Sequence, residues 1–274
     1  MKTFRAEAVS GESYELGEGP LWDAARQRLL WVDINAGNVH SGVWSHGEVV
    51  PRNRFEFPAT VGAVVCSASG ELLVAGEREL WTVALDGTRT AGVQLIEDGR
   101  ASRLNDGGCD PSGRFLVGSL ALDGREKQES LVRVEGSDFT IIDDDLTLSN
   151  GLAWSPDGRL MYSVDTTSGR VWIRDYESLG PRREFLHITE GSPDGLCVDV
   201  DGNLWIAIWG AGEVRCHTPE GKHVTTVEVA APNTTSVAFI GPSLDTLLIT
   251  TAGGRLFACD LGISGLPVPA WSGW

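Results

Sequence analysis

The sequence predicts an all-β fold built from six similar units, and three observations support this prediction. A polar residue, a short apolar stretch and a turn recur along the 274 residues at intervals of 44, 43, 45, 44 and about 41. The 34 glycines indicate frequent turns, and no segment shows the sustained apolar period of a helix. A unit of this length holds four short strands, and six four-stranded sheets arranged around an axis form a β-propeller.

The first two units match the pattern more weakly. In the first unit, residues 18–23 precede the apolar run 29–32. In the second, residues 62–65 precede Gly70 and the run 72–74. Each pair of segments is typical of two short strands joined by a tight turn.

The third, fourth and fifth units carry the pattern most clearly. Asn105, Asn150 and Asp194 each lie eight positions before a turn glycine that an apolar run follows. A third strand is also visible in two of these units, at residues 169–174 and 212–216. The three units therefore define the phase in which the weaker ones are aligned.

The sixth unit begins near Thr235 and continues into the run 247–249, with a third strand at 254–258. It lacks an obvious fourth strand of its own. We expect residues 3–9 to supply this outer strand and so to close the ring. No linker interrupts the repeat, which predicts a single β-propeller domain over residues 1–274.

Charge and composition exclude several partners. The formal net charge is −16, which would repel phosphate backbones and anionic lipid surfaces, so we expect no nucleic acid or membrane partner. The N-terminus has no apolar leader and no run of 18 apolar residues occurs, which predicts a cytoplasmic protein. Five cysteines at irregular spacing predict reduced thiols rather than a disulfide framework.

The repeat phase places polar residues together. The innermost strand of a propeller blade is its first, so equivalent positions at the start of each unit should surround one mouth of the central channel. Read alone, the segments around Asn150 and Asp194 are also typical of turns, but turn residues have no reason to share this phase. The residues at these positions are Glu18, Gly62, Asn105, Asn150, Asp194 and either Thr235 or Ser236.

Two carboxylates that point at one axis repel each other unless a proton or a cation lies between them. A hard divalent cation resolves the conflict, and oxygen ligands favour calcium, magnesium or manganese over a structural zinc site. A cation held by few protein oxygens keeps positions for water and can polarise a carbonyl or phosphoryl oxygen. The sequence therefore predicts a central divalent metal site with catalytic potential.

At these residues the chain resembles the SMP-30/gluconolactonase/regucalcin family over essentially its whole length. The resemblance rests on five segments, which are residues 17–22, 103–107, 148–157, 193–196 and 235–247. It implies a six-bladed propeller with one divalent cation in the central channel. Calcium is the cation that we expect, with magnesium, manganese, zinc or iron as alternatives.

The resemblance also implies roles for individual residues. Glu18, Asn150 and Asp194 fall on the metal ligands, and Asp194 also falls on the proposed general base. Arg103 and Asn105 fall on contacts to a sugar lactone, and in some relatives the residue at Asn105 joins the metal ligands. A further acidic substrate contact falls on Asp123, although the segment around it departs from the family pattern.

The predicted function is a metal-dependent hydrolase that opens sugar lactones of the aldonolactone type. Opening of a lactone places negative charge on the former carbonyl oxygen, which a cation stabilises while a carboxylate removes a proton from water. One alternative is a phosphotriesterase-like hydrolase that uses the same site, and another is a noncatalytic calcium-binding regulatory propeller. The expected partner is a small sugar lactone, and the expected state is a monomer or a weak homo-oligomer.

Overall fold

A computed structural model describes residues 1–273, and within this range every regular element is a strand. This confirms the all-β prediction. The described residues contain no helix that could cross a membrane. The N-terminal half contains β1 (Lys2–Arg5), β2 (Glu7–Ala8), β3 (Tyr14–Asp23), β4 (Arg28–Asp33), β5 (Asn38–Ser45), β6 (Glu48–Glu56), β7 (Ala63–Cys66), β8 (Leu72–Ala75), β9 (Glu79–Val83), β10 (Arg89–Gln94), β11 (Ser102–Cys109), β12 (Phe115–Ala121), β13 (Glu129–Glu135) and β14 (Asp138–Leu146).

The C-terminal half continues the series of short strands. Its strands are β15 (Ser149–Trp154), β16 (Leu160–Asp165), β17 (Arg170–Asp175), β18 (Arg183–His187), β19 (Ser192–Val198), β20 (Leu204–Trp209), β21 (Glu213–His217), β22 (His223–Glu228), β23 (Thr234–Ile240), β24 (Thr246–Gly254) and β25 (Phe257–Asp260).

Consecutive strands pair antiparallel in successive groups. The groups β7 to β10, β11 to β14 and β15 to β18 are separate four-stranded sheets in chain order. Strands β3 to β6 and β19 to β22 pair in the same order within larger sheets, and β23 to β25 form a further antiparallel group. Short turns connect the strands within each group, as the repeat predicts.

The first strands of the groups lie side by side. Strand β3 contacts β7, the contacts continue through β11, β15, β19 and β23, and β23 contacts β3 again. The backbones approach so closely that only glycine fits at some positions. A Cβ atom on Gly62 would lie 2.4 Å from the backbone oxygen of Asn105, and one on Gly151 would lie 2.6 Å from that of Asp194.

The N-terminal residues join two different sheets. Glu7 and Ala8 pair with β25, so they supply the outer strand of the last group, as expected for this part of residues 3–9. Residues Lys2–Arg5 instead pair in parallel with β22 and extend the preceding sheet. The step between the sheets occurs at buried Ala6, whose N–H donates to the backbone oxygen of Glu228.

Apolar and aromatic side chains fill the space between neighbouring sheets. Trp205 of β20 packs edge to face against Phe239 of β23, with ring centroids 6.1 Å apart. Within one sheet, fully buried Trp31 of β4 stacks on its cross-strand neighbour His40 of β5. Aromatic pairs stabilise the packing within and between the sheets beyond the area that they bury.

The segment after β25 returns across several sheets. Gly265 forms a bridge with Asp199, and its N–H donates to the backbone oxygen of Leu244. Further along, the N–H of Trp271 donates to the oxygen of Cys66. We call residues 261–273 the C-terminal strap, because it ties together strand ends that are far apart in sequence.

Candidate active site

Four of the predicted ring residues, Glu18, Asn105, Asn150 and Asp194, lie on first strands at places where the pairing with the second strand is irregular. The register shifts between Glu18 and Leu21 in β3, and between Asn150 and Leu152 in β15. Shifts also surround Asn105 in β11 and Asp194 in β19. A β-bulge turns side chains out of the regular alternation, and here a register shift occurs at each of these four residues.

Glu18 and Asp194 are both buried, at 5% and 4% exposure, and they act on each other electrostatically. Burial and the nearby Asp106 raise the pKa of Glu18 to about 8. Burial and the charges of Glu18 and Asp106 raise the pKa of Asp194 well above its ordinary value. The three carboxyl groups therefore share one poorly solvated region, which we call the acid cluster.

Two buried oxygen atoms at this place have no hydrogen-bond partner. They are Oδ1 of Asn150 and Oδ1 of Asp194. The Asn150 amide is oriented by its Nδ2 group, which donates to Oγ1 of Thr166 at 3.0 Å. Buried acceptors without donors are costly, and a bound cation would satisfy both of them.

The donor set of Glu18, Asn150 and Asp194 fits a hard divalent cation, because it consists of carboxylate and amide oxygens. Among residues 1–273 no group of three or more His, Cys, Asp or Glu side chains is arranged to hold a metal ion. The predicted set contains two such residues and an amide. Its fit rests on the two unpartnered oxygen atoms.

Asp106 is a member of the acid cluster that the sequence did not single out. Its Oδ1 accepts a hydrogen bond from the N–H of Gly107 at 2.7 Å, and burial raises its pKa to about 6. Strict alternation along a strand would place it on the opposite side from Asn105. The register shift between Leu104 and Gly107 removes that alternation.

Arg103 is the cation beside these acids. Burial lowers its pKa to about 10, while Glu18, Asp194 and Glu77 act in the opposite direction. Its Nη1 donates to Oδ1 of Asn105 at 2.7 Å and to the backbone oxygen of Leu104 at 2.9 Å. Its remaining N–H groups leave donors for a bound molecule.

The side-chain amides of Asn105 and Asn150 have different hydrogen-bond partners. Asn105 uses Oδ1 to accept from Arg103, and it uses Nδ2 to donate to the backbone oxygen of Ser149 at 2.9 Å. Asn150 has a bound Nδ2 and an unpartnered Oδ1. Asn150 is therefore better prepared than Asn105 to act as a metal ligand.

Asp123 lies apart from the acid cluster in its contacts. It belongs to residues 122–128, the loop between β12 and β13, and its side chain is 47% exposed. Its Oδ2 pairs with Nη1 of Arg125 at 2.7 Å. Electrostatic interactions connect Glu18, Asp194 and Arg103, and a hydrogen bond connects Arg103 with Asn105, which also bonds to the backbone oxygen of Ser149 next to Asn150. Asp123 is instead paired within its own loop.

A cavity of about 390 Å³ adjoins the acid cluster. Its lining includes Asp106 at the cluster and Leu266 and Val268 of the C-terminal strap. Most of the other lining side chains are apolar, among them Leu196 and Phe239. The cluster is therefore flanked by an apolar space that the strap helps to enclose.

Comparisons with known proteins agree with this architecture. The model of the SMP-30/Gluconolactonase/LRE-like region matches residues 16–253. Regucalcin of Xenopus laevis is 32% identical over 305 residues, with full coverage of both chains. Pentonolactonase XacC of Haloferax volcanii is 30% identical over 252 residues, which cover 90% of this chain and 84% of XacC.

A solved structure extends the likeness to three dimensions. Regucalcin of Agrobacterium tumefaciens, a calcium-binding protein, superposes with a TM-score of 0.92 at 26% identity and covers 99% of both chains. The family resemblance predicted from the sequence is confirmed by these matches. The chain belongs to the SMP-30/gluconolactonase/LRE-like family.

Proposed function

We propose that this protein is a metal-dependent lactonase that opens sugar lactones to the corresponding sugar acids. The observation that carries the proposal is the pair of unpartnered buried oxygens, on Asn150 and Asp194, of which the second lies close enough to Glu18 for the two charges to interact. Family membership supports the reaction type, because one relative is a pentonolactonase. Arg103 supports a polar substrate with several oxygen atoms.

The architecture that we propose is one domain over residues 1–274, folded as a six-bladed propeller with four-stranded blades. The continuous contacts from β3 through the other first strands and back to β3 support it. In this arrangement Glu18, Asn150 and Asp194 lie on the axis. Trp274 lies outside the described residues.

We propose Glu18, Asn150 and Asp194 as the ligands of one divalent cation, with calcium as the first candidate. The calcium-binding regucalcin of Agrobacterium tumefaciens supports calcium, and the oxygen donor set would also suit magnesium or manganese. Zinc and iron remain alternatives that metal analysis would test. When bound, the cation would polarise the lactone carbonyl and stabilise the negative charge that develops on its oxygen.

Asp194 is the residue that we propose as general base. One of its two carboxylate oxygens would bind the cation, and the other would accept a proton from the attacking water. Burial and the neighbouring acids raise the pKa of this carboxyl group, and a nearby positive charge would lower that pKa and favour the carboxylate. Ligand and base functions are therefore compatible in this residue.

Arg103 and Asn105 are the proposed substrate contacts. The free N–H groups of Arg103 would donate to a ring oxygen or a hydroxyl group, and the Asn105 contact fixes the guanidinium for that purpose. Asp123 is the further proposed substrate contact, and its exposed carboxylate also pairs with Arg125, which suits a role in ordering its loop. Replacement of Asp123 by Asn would distinguish these two roles, since only a direct contact discriminates among hydroxyl groups of the substrate.

The remaining partners follow from charge. A net charge of −16 supports a neutral or polar small molecule as substrate and gives no attraction for nucleic acid or anionic membranes. We propose a cytoplasmic protein that is a monomer or a weak homo-oligomer. Sedimentation across a concentration series would measure the oligomeric state.

The test begins with chelated protein that is loaded separately with calcium, magnesium, manganese or zinc. Each form is assayed with γ- and δ-lactones of sugars in a pH indicator assay and, in parallel, with organophosphate triesters. The proposal expects hydrolysis of sugar lactones that exceeds spontaneous opening and depends on added metal. Faster hydrolysis of the triesters would favour the phosphotriesterase alternative.

A third outcome would favour the noncatalytic alternative, for which the calcium-binding relative is the supporting observation. In that case calcium would bind with a measurable dissociation constant while no lactone or ester was hydrolysed. Calorimetric titration of calcium with the same preparation makes that outcome visible. Absence of both binding and hydrolysis would contradict the metal site itself.

A further inference from the structure

A further buried carboxylate lies near the site but outside the acid cluster. Glu129, the first residue of β13, is 0% exposed. Its Oε2 accepts a hydrogen bond from Oγ of Ser119 at 2.6 Å, and its Oε1 accepts one from Oγ of Ser102 at 2.9 Å. The proposed reaction gives this residue no role, so its burial requires another explanation.

The charge of Glu129 is balanced by an arginine from the loop 122–128. Arg125 contacts Oε1 of Glu129 through Nη2 at 2.8 Å and Nε at 3.2 Å. The same guanidinium pairs with Asp123 through Nη1 and donates to the backbone oxygen of Ala101 at 3.2 Å. One side chain therefore connects the loop, the buried carboxylate and the segment that leads into β11.

The loop and Arg103 lie at the same end of the sheet. Strand pairing places Arg103 opposite Leu120 and Ser102 opposite Ala121, so the loop begins two residues after the partner of Arg103. The N–H of Leu122 also donates to the backbone oxygen of Ala101. Loop 122–128 is therefore adjacent to the residue that we propose as a substrate contact.

We call the ion pair between Arg125 and Glu129 the clamp, because breaking it is energetically costly. A fully buried carboxylate is costly unless charged and polar donors saturate it, and removal of one partner leaves the remaining charge uncompensated. Arg125 supplies the closest cation, with its side chain 20% exposed, whereas Arg100 is 3.4 Å away and 42% exposed. The loop cannot move away without withdrawing this cation from Glu129.

We propose that Glu129 is a positioning residue that holds loop 122–128 beside Arg103 through Arg125 and thereby sets the affinity for substrate. The kinetic part rests on the proposed lactonase function, whereas the clamp itself does not. Loops that border a site affect catalysis by ordering and enclosing the substrate, and a misplaced positioning group weakens binding. Glu129 acts in this way without touching the substrate.

The first measurement uses proteolysis to detect opening of the ion pair between Arg125 and Glu129, and it needs no substrate. Trypsin must extract Arg125 from Glu129 to cut the Arg125–Glu126 bond, so the intact protein should resist cleavage there. In Glu129→Gln the cation loses its charged partner, and we expect cleavage within residues 125–128 to be about 10-fold faster or more, because local opening costs less. Glu177→Gln makes the same chemical change at an exposed position and should cleave like the wild type.

The second measurement separates positioning from chemistry. For the sugar lactone that the wild type hydrolyses, Glu129→Gln should raise KM by about 5- to 10-fold and leave kcat within about 2-fold, as expected for lost substrate binding. Metal affinity should be unchanged in the same preparation. Arg125→Lys keeps the charge but loses the planar contact, and it should shift KM and cleavage in the same direction.

The outcomes are distinct. A folded Glu129→Gln with wild-type cleavage and wild-type KM would overturn the proposal, and so would a fall in kcat at constant KM. If Glu129→Gln does not fold, Arg125→Lys decides by the same criteria. If the wild type hydrolyses no lactone, the proposed function fails, and the cleavage rates alone decide whether Glu129 holds the loop.

Discussion

The Nδ2 group of Asn105 donates a hydrogen bond to the backbone oxygen of Ser149 at 2.9 Å. This bond joins β11 to β15 at the acid cluster, one residue before Asn150. The bond occupies the Nδ2 donor of Asn105, and Arg103 donates to the Oδ1 acceptor of the same side chain. Two amides at equivalent positions of the repeat therefore have different tasks, and substitution can separate them.

Asn150→Ala should weaken metal binding, because it removes the unpartnered Oδ1 from the proposed ligand set. We expect a loss of about 10- to 100-fold in metal affinity, the range found when groups that support a metal are removed. Asn105→Ala should leave metal affinity much closer to the wild type and raise KM instead. Calorimetric titration with calcium, followed by lactone kinetics at saturating metal, measures both effects; equal losses of affinity would make Asn105 a ligand as well.

Metal should stabilise the folded protein, and the effect should grow with pH. In the metal-free protein the raised pKa values of Glu18 and Asp194 mean that the folded state holds protons that the unfolded state has released. Stability contributed by these protons is present below about pH 4.5 and is lost as the pH rises toward 8. A bound cation replaces the protons and removes this loss.

Thermal unfolding with chelator and with calcium, at several pH values from 5 to 8, measures this difference. The chelated protein should show a falling Tm across this range, and the calcium form should not. Glu18→Gln provides the control, because one of the three carboxyl groups with raised pKa is then absent and the slope should decrease. A chelated protein whose Tm stayed constant would show that the two acids do not share a site.

Much of the site could be predicted because a repeat carries positional information. The common phase of Glu18, Asn150 and Asp194 is enough to assign them to equivalent first strands. Asp106 could not be predicted in this way, since its orientation depends on a register shift between strands. Glu129 depends on the pairing of β11 with β12, which brings Ser102 and Ser119 together across 17 residues of sequence.

The C-terminal strap shows the same limit at the level of the fold. Residues 261–273 have no counterpart in the other units, so the repeat gives no signal for them. Their position is defined by backbone bonds to Leu244, Cys66 and Gly113. Such contacts between distant segments do not leave a local pattern in one sequence.

Gly265→Ala should loosen the strap. A Cβ atom there would lie 2.3 Å from Cβ of Phe239, a buried atom that cannot turn away. We expect a loss of about 1 to 3 kcal/mol in unfolding free energy, the usual cost of overpacking. Cys197 lines the adjoining cavity, and burial raises the pKa of its thiol in the wild type. When the strap is loosened, this thiol should become more exposed and react faster with a small thiol reagent.

Gly11→Ala is the matched control, since a Cβ atom there would meet nothing within 4 Å. Chemical unfolding gives the stability, and mass spectrometry of labelled peptides identifies the cysteine that reacts. Wild-type stability together with unchanged labelling of Cys197 in Gly265→Ala would show that the strap accommodates the methyl group and does not enclose the cavity.

Asp194→Asn and Glu18→Gln should separate base catalysis from metal binding. The Asn side chain keeps an oxygen ligand of nearly the same shape but cannot accept the proton, so lactone hydrolysis should fall by about 100-fold or more. Glu18→Gln should act mainly through metal affinity, and saturating metal should restore much of its activity, because the cation and not this carboxylate supports the reaction. Titration of each variant with metal, while a δ-lactone is followed and corrected for spontaneous opening, compares the two directly. Full recovery of Asp194→Asn at saturating metal would leave Asp194 as a ligand only, and wild-type rates in both variants would place the reaction outside the acid cluster.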